Sequence, residues 1–424
     1  MTTHRNPALP FVSVVILVAA ITLRPGATSV GPVLAEISTG LDLSGATAGL
    51  LTALPGFMFA AAGFLAVPMS RKLGIGVSIG VGLALVIVAL FLRPFTTSVL
   101  VFVLLSALSL GGMALSNVLI PAVIQIFGRQ RPGLLSAFYA TGLAVGGAAP
   151  PLLAGAMLAL VGGWREYLAS WAWLAVVALG FWVVLLVSQW QRLSLQGMRA
   201  AAQRGDVVHP ATGPLPVVHG PEAPPVDSAG RRVWHSPTVR ALMVFFGVQS
   251  TNAYIQFGWL AQIYRDGGLS LGMASAMVGV IAALGIPGGF FMPLLVGRTK
   301  HLTRWITGMG VCMVVGYAGL LVAPSSLPVV WAFLLGLGSL AFPTALALVT
   351  ERTRHPLVTA RVSGFVQPAG YVIAGVGPLL IGIIHDWADS WTIPLALLLL
   401  SSVPLVIAGC RAACGGCIDD ELRA

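Results

Sequence analysis

Residues 136–155 read SAFYATGLAVGGAAPPLLAG, and residues 363–382 read SGFVQPAGYVIAGVGPLLIG. Laid side by side, Ser136 meets Ser363, Phe138 meets Phe365, and Pro151-Leu152-Leu153 meets Pro378-Leu379-Leu380. With a shift of one residue, Leu43-Ser44 falls opposite Leu269-Ser270. A chain that repeats itself across half its length is built from two copies of one unit. Both quoted stretches are apolar and rich in small residues, as in membrane helices that pack closely.

The surrounding composition agrees. Only 8% of the 424 residues are Asp, Glu, Lys or Arg, against roughly 25% in a soluble protein. Hydrophobic residues make up 57%, too many to hide in one water-soluble core, so the chain belongs in a bilayer. Twelve apolar spans follow, at about 9–34, 45–69, 74–92, 97–127, 133–160, 166–189, 238–264, 272–296, 303–323, 327–350, 360–384 and 391–411. Each is long enough to cross about 30 Å of hydrocarbon at roughly 1.5 Å per residue. The expected fold is all-α, with twelve transmembrane helices in two pseudo-symmetric six-helix bundles.

The net charge of +10 sits in short gaps between spans, which points to topology and away from nucleic acid. With both termini in the cytoplasm, 19 of the 23 Lys and Arg residues lie on that side. Arg93, Arg165 and Arg265 fall in outer loops, and Arg24 falls within a span. The first span lacks a cleavable leader's short apolar region and cleavage site, so it is expected to stay. This orientation suits a bacterial-type inner membrane. Residues 1–189 are expected to form the first bundle and 238–411 the second. Between them, 190–237 is rich in Pro, Gly and charge and reads as a cytoplasmic linker; 412–424 reads as a cytoplasmic tail. No GxxxxGK[ST] phosphate loop occurs, and no cofactor is expected.

Arg24 raises the functional question. It stands in ITLRPGATSV (21–30), about 15 residues or roughly 22 Å into span one. An arginine at that depth costs about 2.5–3.5 kcal/mol on insertion scales, and it cannot lose its proton to escape. No Asp or Glu lies deep in any span. The cation therefore needs carbonyls, water or an anionic cargo. Pro25 removes an N–H donor, and Gly26 loosens the turn further, so the helix is expected to break beside the arginine. Broken helices at mid-depth line the cavities of transporters.

Span seven carries a second polar patch. Gln249, Asn252, Gln256 and Trp259 share one helical face, with Tyr254 beside them. These amides and aromatic rings suit a polar planar solute, or alternatively hydrogen bonds between helices. Asn117 in span four, Tyr139 in span five, and Gln367 with Tyr371 in span eleven are further candidates to line the site. The tail cysteines, Cys410, Cys414 and Cys417, lack the soluble catalytic fold that such spacing serves, and are expected to be free thiols rather than metal ligands.

Several stretches together resemble the major facilitator superfamily, and within it the cyanate-porter branch that includes cyanate and 2-nitroimidazole transporters. They are LRPGATSVGPVL (23–34), AGLLTALPGF (48–57), LSNVLIPAVI (115–124), FFGVQSTNAYIQFGWL (245–260), GIPGGFFMPLL (285–295), GLGSLAFPTALAL (336–348) and GPLLIGIIHDWADSW (377–391). The resemblance implies a monomeric carrier that is not an enzyme. It would move a small anionic or polar planar solute by alternating access, with a coupling proton or counter-anion. A broader drug-efflux carrier is the nearest rival, and a membrane sensor or a tail-cysteine metalloprotein a remote one. The resemblance also implies gating loops at Arg71, Lys72 and Arg298. The acid that often precedes such arginines is absent here, since Ser70 and Gly297 stand in its place.

Overall fold

The computed structural model describes residues 9–127, 132–189 and 233–422. The described residues are helical throughout, with no strand. Arg129, Arg131 and nearly all of the 190–237 linker lie outside them.

Span one runs further than its apolar composition suggested. It reaches Leu41 in pieces, Leu9–Thr22, Pro25–Thr28, a 3-10 turn at Gly31–Val33, and Leu34–Leu41. Spans two to six are Gly45–Leu73, Ile75–Leu92, Val99–Phe127, Pro132–Val161 and Trp164–Ser188. Span seven is Pro237–Asp266, followed by Leu271–Arg298 and Leu302–Val322. Span ten is broken into Pro328–Gly338 and Ala341–Glu351, and spans eleven and twelve are Pro356–Ala388 and Thr392–Cys414.

Eleven of these spans are long and apolar enough to cross a membrane by themselves. Span seven is the twelfth. Its 30 residues extend about 45 Å, but its polar residues lower its hydropathy. Gln249, Ser250, Asn252 and Gln256 are all buried. A polar helix is tolerated at this depth because its polar groups are turned into protein rather than lipid.

The halves start their second helices alike. Ser44 accepts a hydrogen bond from the Thr47 N–H, and Ser270 accepts one from Met273. Each thus caps a helix N-terminus whose first amides have no partner. Span two packs on span eleven, and span five on span eight, joining the halves. Small residues allow the approach. A Cβ on Gly56 would lie 2.7 Å from the Gly375 amide nitrogen, and one on Gly155 would lie 2.8 Å from the Gly272 Cα.

One expectation needs correction. Arg93, assigned above to an outer loop, begins a 3-10 turn at the end of span three and is fully buried. The end of the chain packs against the second half. A short helix, Ile418–Glu421, folds back so that Glu421 accepts hydrogen bonds from Thr238 and Ser236 at the start of span seven. Asp419 accepts from the amides of Arg354 and His355 at 2.9 and 3.1 Å. Cys312, Cys410, Cys414 and Cys417 are free thiols.

Candidate functional site

The α-helix of span one stops at Thr22, and a new turn begins at Pro25. Arg24 stands between them with φ −122° and ψ −34°. Its carbonyl accepts from the amides of Ala27 and Thr28 at 3.0 and 3.1 Å, which starts the next turn. Pro25 has no N–H to offer the Ile21 carbonyl. Span five crosses close to this point: a Cβ on Gly142 would lie 2.6 Å from the Ala20 Cβ, and one on Gly146 would overlap the Ile21 oxygen. Only glycine permits that approach.

The Arg24 guanidinium lies 5.7 Å from the ring centroid of Phe59 in span two. Phe59 in turn meets Tyr371 of span eleven, so the cation stands beside a contact between the halves. Tyr371 is the centre of an aromatic cluster. Its ring centroid is 5.6 Å from Phe59, 5.1 Å from Phe246 and 6.3 Å from Tyr254. Among the described residues, no carboxylate pairs with Arg24; ion pairs form elsewhere, Arg265 with Glu36 and Arg354 with Asp420. Arg24 itself keeps partial exposure.

Asn117 and Tyr139 are joined, the phenol donating to the Asn117 side-chain oxygen at 2.8 Å. Gln367 lies one turn before Tyr371 and is partly exposed. The structure thus links Arg24 through Phe59 to Tyr371 and Tyr254, and joins Tyr139 to Asn117.

The amides of span seven face elsewhere. Gln256 donates to the Tyr317 hydroxyl at 2.9 Å, and that hydroxyl donates to the Asn252 side-chain oxygen at 2.9 Å. Asn252 donates to Ser401 at 3.0 Å. Gln249 donates to the Ser339 carbonyl at 3.3 Å, where span ten is broken, and Ser339 Oγ donates to Gln256 at 3.2 Å. Of the two uses weighed for this face, bonding between helices is the one these contacts display. Gln249 Oε1 alone in this network is buried without a partner.

Trp259 sits toward the end of the molecule where spans one and seven finish, at Leu41 and Asp266. It donates to the Pro378 carbonyl at 3.2 Å and packs on Trp391 at 5.7 Å. Around it the two halves are tied together at that end. Arg265 meets Glu36 at 2.8 Å, and the Gly45 amide at the start of span two donates to Asp386 of span eleven at 2.6 Å. At the other end, Arg71 and Lys72 finish span two and Arg298 finishes span eight, all exposed. The Glu351 carboxylate lies 3.9 Å from where a Gly297 Cβ would be. An acid from span ten thus stands where the loop's own acid is missing.

Sequence reasoning missed Phe59, Phe246 and Arg93. A signal existed for the last: Leu92-Arg93-Pro94 repeats the Leu23-Arg24-Pro25 tripeptide.

Comparison with known proteins matches this architecture. The chain is 30% identical to the 2-nitroimidazole transporter of Escherichia coli, over 96% of this chain and 95% of that protein. It is 27% identical to the cyanate transport protein CynX of the same organism, over 94% and 96%. The uncharacterized transporter YycB of Bacillus subtilis is 28% identical over 93% and 91%. Among solved structures, a D-xylose-proton symporter superposes with a TM-score of 0.71 at 13% identity, over 97% of this chain and 98% of the other, which speaks for the fold alone. The Major Facilitator Superfamily matches residues 16–378. With its two packed halves, its broken first span and that match along most of its length, this multi-pass membrane protein belongs to the Major Facilitator Superfamily, as a transporter and not an enzyme.

Proposed function

We propose that the protein carries a small anion or a polar planar solute across a bacterial inner membrane by alternating access. One observation carries the reading: Arg24 stands at a helix break between the halves, with no carboxylate partner among the described residues. A cation that cannot deprotonate is stabilised by an anion that enters and leaves. The ring cluster of Phe59, Tyr254 and Tyr371 suits a flat solute stacked beside that charge. Relatives named for 2-nitroimidazole and for cyanate fit the same description.

In this reading the carrier works as a monomer with both termini in the cytoplasm. Residues 1–189 and 238–411 rock as two bodies joined by the 190–237 linker. The tied outer ends belong to a state closed to the outside. With no acid deep in a span, a proton travels on the cargo or a counter-anion is exchanged.

A thermal-shift screen tests this. Cyanate, nitrite, other small anions and nitroimidazoles are added to the detergent-purified protein and to Arg24→Ala. At least one should stabilise the wild type and leave the variant's melting temperature unmoved. Equal stabilisation of both would remove Arg24 from the binding site.

A further inference from the structure

Arg93 is the other arginine in an apolar setting, and no function is yet assigned to it. Its side chain is fully buried. Nη1 donates to the Gly26 carbonyl at 3.2 Å, and Nη2 to Ser29 Oγ at 3.4 Å. The guanidinium lies 6.0 Å from the Phe102 ring centroid. Nε is buried without a partner, and no carboxylate among the described residues pairs with the group.

We propose that Arg93 is a positioning residue: its planar fork clamps the turn Pro25–Thr28 and so fixes where Arg24 stands. The inference rests on the reading of Arg24 as a cargo contact. A buried, unpaired charge is costly, and a glutamine would satisfy one free carbonyl without it. An arginine adds donors held in one rigid plane, which an ammonium does not provide. Here they reach two acceptors three residues apart, one within the turn and one just past its end. That turn needs outside support, because it is four residues long and cut off by Pro25 from the helix before it. Span four holds its other side: a Cβ on Gly26 would lie 2.9 Å from the Met113 sulfur and 3.4 Å from Leu90 of span three. The turn begins at the carbonyl of Arg24, so a shift of the clamp moves the base of the binding arginine.

The test reads the position of residue 24 without any cargo. Cys312, Cys410, Cys414 and Cys417 are replaced by serine, the Arg24→Cys substitution is added, and the reaction rate of the new thiol with a small anionic methanethiosulfonate is measured. Arg93→Lys, which keeps the charge but loses the fork, should change that rate about tenfold. In the protein that retains Arg24, it should weaken the ligand found by thermal shift by a similar factor. Ser29→Ala removes one acceptor and should change both in the same direction by less; it decides the matter if Arg93→Lys does not fold. An unchanged labelling rate at position 24 in the folded variants overturns the proposal, even if their melting temperatures fall, because Arg93 is then only a brace. If instead Arg24→Ala still binds ligand, the cargo reading fails while the labelling rates still judge the clamp.

Discussion

Arg24 and Arg93 carry the same charge in the same tripeptide, yet they are satisfied differently. Arg93 is spent on the backbone of span one. Arg24 is left beside Phe59, whose ring meets Tyr371 of the second half. The amides of span seven show a third outcome, in which polar groups satisfy one another inside the second half. Asn252→Ala should therefore lower stability by about 1–2 kcal/mol, since Tyr317 and Ser401 each lose a partner. The ligand dissociation constant should stay within about threefold of wild type, because a shift of that size is less than 1 kcal/mol. Denaturant unfolding and ligand titration on the same preparation check both, and a large loss of affinity with unchanged stability would return Asn252 to the binding site.

At the scale of elements, breaks in two helices set the geometry. Span one breaks at Arg24 and span ten at Ser339-Leu340, and in each case a donor from a neighbouring span takes up a carbonyl there. The helix ends matter as much. Asp386 of span eleven accepts from the first amide of span two, so a carboxylate from one half sits at the positive end of a helix in the other. Together with Arg265 and Glu36 it ties the two halves at this end. Asp386→Asn should weaken this closure and raise the population in which that end is open, the outward-open state of the proposed orientation. Spin labels at Thr39 and Trp387, one in each half and both exposed, would report it as a longer distance component. An unchanged distance distribution would show that this contact does not control closure.

For the whole molecule, the repeat and the apolar spans were enough to read the twelve-helix architecture, because lipid forces backbone groups into helices and leaves few alternatives. The break at Pro25 was legible too, since proline acts locally. What the sequence could not convey was direction. The face shared by Gln249, Asn252 and Gln256 follows from helical spacing, but spacing does not say whether that face meets a cavity or spans nine, ten and twelve. Arg93 read as a loop residue because it falls in the gap between the apolar runs at 74–92 and 97–127; it packs beside Phe102 of span four, a contact that local sequence does not reveal. The aromatic cluster around Tyr371 likewise draws on spans two, seven and eleven. The central claim, that Arg24 receives the cargo's negative charge, is tested most directly by uptake of the labelled anion into proteoliposomes. Wild type should transport it, Arg24→Lys should retain the charge but lose about tenfold or more in kcat/KM, and Arg24→Ala should fall to the level of empty vesicles. Transport by Arg24→Ala at the wild-type rate would contradict the account.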